Sequence, residues 1–100
     1  MIDTETRKEV YKRAIETFGA DIQLAVALEE LSELQKEICK CMRGNINLEH
    51  MAEEIADVLI MVEQLQQIFM LQDPVSDQMD KKIARLAFRI EKYKLRGMQS

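Results

Sequence analysis

The sequence predicts an all-α fold: a single domain over residues 1–100, arranged as a four-helix antiparallel bundle and completed by homo-oligomerisation. Three observations predict it. Only three Gly and one Pro interrupt a chain dominated by Leu, Ile, Met, Ala, Glu, Lys and Gln, most of them good helix formers. Apolar residues recur at spacings of three and four, and no stretch alternates as a half-buried strand would. The gaps between periodic stretches are short, which makes sequential helices antiparallel neighbours. A chain of this size covers only roughly 60–70% of its unfolded surface on its own, so self-association is expected.

The first helix is predicted from about Thr6 to Phe18. Thr6-Arg7-Lys8-Glu9 reads as a capping box, and Val10, Ala14, Ile15 and Phe18 share a side. Gly19 suits a left-handed cap. Asp21 can cap a second helix from Ile22 to about Met42, with Leu24, Leu28, Leu31, Leu34 and Ile38 as its inner edge; Gly44 and Asn45 break it. Asn47 can cap a third from Leu48 to about Leu71, with Met51, Ile55, Val58, Val62, Leu65 and Phe69 facing inward. Asp73-Pro74 fits an N-cap followed by proline at the first helical position. The fourth helix then runs to about Arg96, with Met79, Ile83, Leu86, Ile90 and Tyr93 inside and Gly97 as its stop. Internal repeats and low-complexity segments are lacking.

Composition narrows the function. The formal net charge of −4 argues against a nucleic-acid-binding surface. No run is long and apolar enough for a membrane span, and the N-terminal residues do not read as a signal peptide. Cys39 and Cys41 are two apart on a helix, so they point to different sides and read as reduced thiols of a cytoplasmic protein; a Cys-x-Cys metal site is the alternative. A Gly-rich phosphate loop is missing, and so is a Ser-His-Asp or Cys-His arrangement. The single histidine, His50, lies one turn before Glu54 and reads as a surface or subunit-contact residue. Without a Glu-x-x-His pair, a ferritin-like di-iron site is disfavoured. The seven methionines read as core or interface filler.

The informative feature is acidic. Glu29, Glu30 and Glu33 lie on the second predicted helix, and Glu53, Glu54 and Asp57 on the third. Residues three apart are one turn apart on one side, so Glu30 with Glu33 and Glu54 with Asp57 form two pairs. Both interrupt otherwise apolar edges, and neither has a basic partner four residues on; Lys36, three after Glu33, is the one neighbour that can neutralise part of the charge. Taking these four from the 18 acidic residues leaves 14, equal to the number of Lys and Arg. Two like charges about 4 Å apart cost on the order of 4 kcal/mol at an effective dielectric of about 20. Four carboxylates brought together across a helix contact must therefore bind cations, take up protons or splay apart. An all-oxygen set suits Mg²⁺, or Mn²⁺, and Mg²⁺ in turn suits phosphoryl chemistry. The competing reading is a solvated acidic face.

The ordered segments resemble a known family. Glu29-Glu30-x-x-Glu33 followed by Glu54-x-x-Asp57 is similar to the EExxE…ExxD signature of the MazG-like, all-α nucleotide pyrophosphohydrolases. The segment EEIADVLIMVEQL from Glu53 to Leu65 resembles the family's third helix. Phe18-Gly19 with Gln23 resembles its lead-in, and Lys82-Ile83-x-Arg85 with Arg89 its later basic run. The likeness covers roughly residues 10 to 96.

The resemblance implies a helical bundle completed as a homodimer or homotetramer, and water attack on the α-phosphorus of a nucleoside or deoxynucleoside triphosphate with release of pyrophosphate. By position it implies Glu30, Glu33, Glu54 and Asp57 as Mg²⁺ ligands, with one of them or Glu29 orienting or deprotonating the water. Lys82, Arg85 and Arg89 become candidates for phosphate contact, and Gln23 for reading a base edge. The chain departs from the family at Leu86, where an Asn is common, which leaves sugar and base selectivity open. With no Trp, base stacking would fall to Tyr11, Phe18, Phe69, Phe88 or Tyr93. Two other functions compete: a non-catalytic helical oligomerisation module, and hydrolysis of phosphoribosyl-ATP.

Overall fold

Alternative local hydrogen bonds decide where each helix starts and stops. The computed structural model describes residues 1–99 and contains four helices, α1 (Thr4–Phe18), α2 (Ala20–Met42), α3 (Leu48–Ile68) and α4 (Gln72–Gln99), with no strand among the described residues. Asp3, not Thr6, caps α1: its carboxylate accepts the Thr6 amide at 2.7 Å, which draws Thr4 and Glu5 into the first turn. Asp21 likewise lies inside α2, because Gly19 takes the cap position. With φ 91° and ψ 148°, Gly19 is not in the left-handed helical well expected of it, but in a region essentially restricted to glycine. Its amide closes α1 on the Ile15 carbonyl and its carbonyl opens α2 by accepting from Gln23.

Arg43 ends α2 and Gly44, at φ 87°, turns the chain as predicted. Asn47 caps α3 through its side-chain oxygen, which accepts the His50 amide at 3.0 Å. The helix stops three residues short of the predicted Leu71, because Met70 adopts φ 55°. Helix α4 begins before Asp73: the Leu71 carbonyl accepts from Val75, so Pro74 sits in the first turn, where its missing N–H removes no helical bond. Gly97 does not stop α4 but is part of its last turn.

Residues 1–70 form one compact unit and residues 71–100 a second, of which α4 is the described part. Three of the four helices thus pack as a bundle within the first unit. In it, α2 and α3 share the most extensive contact and α1 rests on both. Tyr11 is buried under α1, Arg7 pairs with Glu63 at 3.4 Å, and Gln67 donates to the Lys8 carbonyl, fixing α1 along α3.

The seam between α2 and α3 is not the one the apolar periodicity predicts. Its most buried residues are Gln23, Ala27 and Glu37 on α2 and Glu54, Met61 and Gln64 on α3. Gln23 meets Gln64, Glu30 lies by Asp57, and Glu37 meets His50. Each advance of seven along α2 is matched by seven back along α3, the register of an antiparallel pair with polar layers about two turns, or about 10 Å, apart. Much of the predicted inner rows is instead exposed: Leu28, Leu31 and Ile38 on α2, Ile55 and Val62 on α3, and Phe69 just beyond its end. The row Met79, Ile83, Leu86, Ile90 and Tyr93 on α4 is exposed as well.

Candidate metal centre

The middle polar layer carries the acidic groups. Glu30 comes from α2, and Glu54 and Asp57, one turn apart, from α3; one oxygen from each lies within 4.8 Å of the others. Glu54 is 8% exposed, and its Oε2 is buried with no hydrogen-bond partner among the described residues. An ionised carboxylate oxygen in that condition loses its hydration without replacement, which costs several kcal/mol on the general scale for buried charge. The Glu30 carboxyl is pushed above the usual carboxylate range, first by burial and then by Asp57, Glu54 and Glu29 around it. Both observations describe a site short of positive charge.

Hard oxygen donors, convergence from two helices and an unclaimed buried oxygen fit a small divalent cation such as Mg²⁺ or Mn²⁺. Of the four side chains predicted as ligands, three converge. Glu33 lies outside that group: it is exposed, and Lys36 pairs with it at 3.3 Å, the neutralisation its spacing suggested. Glu29 is exposed and contributes to the field on Glu30.

The remaining sequence candidates separate. Gln23 does not face outward to read a base: it is buried, and its Nε2 donates to Gln64 Oε1 at 2.7 Å. Gln64 in turn points its Nε2 at Met61 Sδ, 3.6 Å away, so the pair is committed to the seam. Lys82, Arg85 and Arg89 belong to α4 and are all exposed. Cys39 and Cys41 are free thiols, the first exposed and the second half-buried.

Sequence reasoning missed Glu37 and misplaced His50. Glu37 is 3% exposed, and its Oε2 lies 2.7 Å from His50 Nδ1. The other ring nitrogen, Nε2, lies 3.3 Å from Glu54 Oε1. Hydrogen bonding and charge from Glu37 raise the His50 pKa, with Glu54 and Glu53 adding to it and burial opposing it. A signal was present: Glu37 is one heptad beyond Glu30, and His50 four residues before Glu54. No protein-family model, curated protein or solved structure matches this chain.

Proposed function

We propose that the chain is a Mg²⁺-dependent hydrolase that cleaves a nucleoside or deoxynucleoside triphosphate at the α–β bond, giving a monophosphate and pyrophosphate. Two observations carry the reading: one oxygen each from Glu30, Glu54 and Asp57 converge, and Glu54 Oε2 is buried with no hydrogen-bond partner among the described residues. The likeness of the ordered acidic and basic segments to MazG-like nucleotide pyrophosphohydrolases supplies the reaction.

In this reading Glu30, Glu54 and Asp57 hold the cation, for which Mn²⁺ can substitute. A divalent ion held by these residues would supply Lewis-acid polarisation of the phosphate and would favour deprotonation of the attacking water. Glu29, exposed on the same helix as Glu30, or one of the ligand carboxylates would accept the water proton. The water oxygen joins the α-phosphorus, the bond to the bridging oxygen breaks, and pyrophosphate leaves. Lys82, Arg85 and Arg89 are the basic side chains for phosphate contact that the resemblance implies. The exposed apolar rows support a homodimer or homotetramer as the working state.

A panel of NTPs, dNTPs and phosphoribosyl-ATP with Mg²⁺, its products resolved by chromatography, tests the proposal. The expected products are a monophosphate and pyrophosphate, lost on adding EDTA and lowered at least about 100-fold in Glu54→Gln, on the scale of losing a transition-state electrostatic contact. Orthophosphate would place the cleaved bond elsewhere. Turnover confined to phosphoribosyl-ATP would select the narrower substrate, and no turnover would leave the oligomerisation module.

A further inference from the structure

Glu54 has two carboxylate oxygens in different circumstances. Oε2 is buried without a hydrogen-bond partner among the described residues, whereas Oε1 faces His50 Nε2 at 3.3 Å. The ring of His50 is held from its far side, where Glu37 Oε2 lies 2.7 Å from Nδ1. Glu37 is itself almost wholly enclosed in the seam, and Lys40 approaches the same oxygen at 3.9 Å. The backbone contributes too, since Asn47 fixes the first turn of α3 by accepting the His50 amide. A carboxylate, an imidazole and a second carboxylate therefore form one chain across α2 and α3. It ends on the acidic group whose second oxygen is free to bind.

A carboxylate gripped at one oxygen loses rotation about its last torsion, and the other oxygen is then presented in one direction. We propose that His50, oriented by Glu37, is a positioning residue for the acidic centre: it secures Glu54 through Oε1 and aims Oε2 at the cation. The inference rests on the metal reading above and adds two residues to it, neither of which touches the ion. The alternative is an ion-paired network that only ties the two helices together. That network would change stability without a separate effect on ion binding.

Mn²⁺ binding to the full chain, measured by electron paramagnetic resonance and calorimetry beside thermal melting, distinguishes the two. His50→Gln keeps an amide donor near the position of Nε2, so it still reaches Glu54. His50→Asn keeps a donor only near Nδ1, on the Glu37 side, and His50→Ala keeps neither. The expected result is Mn²⁺ affinity weakened about 10- to 100-fold in the Ala and Asn variants and largely restored in Gln. Affinity equal to the parent in all three overturns the role of His50, as does a loss that follows melting temperature alone. A parent protein that binds no Mn²⁺ overturns the metal reading itself, and this proposal with it; that result is visible before any variant is made.

Discussion

Within the acidic group, the Glu30 carboxyl is held above its ordinary pKa by burial and by the neighbouring carboxylates. Because the Glu30 pKa is raised, the native chain keeps a proton there that the unfolded chain has already released. Its contribution is therefore fully present below the ordinary carboxylate pKa and declines as pH rises toward the folded value. Asp3 works in the opposite sense: the Thr6 amide lowers its pKa, so that contribution is lost as pH falls. The comparison that isolates Glu30 is the parent against Glu30→Gln, melted without divalent ions from pH 4 upward. The parent is expected to lose stability relative to the variant through and above the carboxylate range. Mg²⁺, which competes with the proton for the same oxygens, should raise the parent's melting temperature more at pH 8 than at pH 5 and leave the variant little changed. A parent and variant with parallel pH profiles would remove Glu30 from the centre.

At the scale of the helices, the buried Gln23–Gln64 layer sets register more than stability. Removing one partner, as in Gln23→Ala, strands a buried amide and is expected to cost about 1–3 kcal/mol by denaturant melting. Replacing both with Leu should be near neutral or stabilising, while loosening the pairing that selects one alignment of α2 on α3. Loss of register would appear as broadened amide spectra at unchanged helix content. The existence and order of the helices were legible in the sequence because caps and breakers act locally: Asn47 and Gly44 do what their chemistry predicts. The face of each helix turned inward was not legible. Periodicity selects the most apolar side, Leu24 to Ile38, whereas the chain's own contact uses the neighbouring row through Gln23, Ala27, Glu30 and Glu37. Hydrophobic pattern identifies a surface that must be covered but not which molecule covers it. The acidic triad was legible through its spacing. Glu37 was not, because a buried glutamate is the least expected occupant of a seam.

For the whole molecule, the exposed apolar rows are the dominant fact. Leu28 is 70% exposed, and Ile55 and Leu59 on α3 and Phe69 at its C-terminal cap are exposed with it. A lone chain with so much uncovered apolar surface is poorly soluble, so the protein is expected to run as a homodimer or larger by light scattering at micromolar concentration. Leu28→Glu should shift that mass toward the monomer while the α2–α3 polar layers persist, and an unchanged mass would assign the row another role. Charge is divided as well: residues 1–70 carry 14 acidic and seven basic side chains, residues 71–100 four acidic and seven basic. The acidic excess lies in the unit that holds Glu30, Glu54 and Asp57, and the basic excess in the unit that holds α4. One joint governs the geometry of the first unit. Gly19 is at once the last stop of α1 and the opening of α2, so two torsion angles steer the entire fifteen-residue rod of α1. A methyl group on its Cα would meet no atom within 4 Å, so the obstacle to an L-residue there is handedness alone. An amino acid of the opposite hand, for which a φ of 91° is ordinary, would not meet that obstacle.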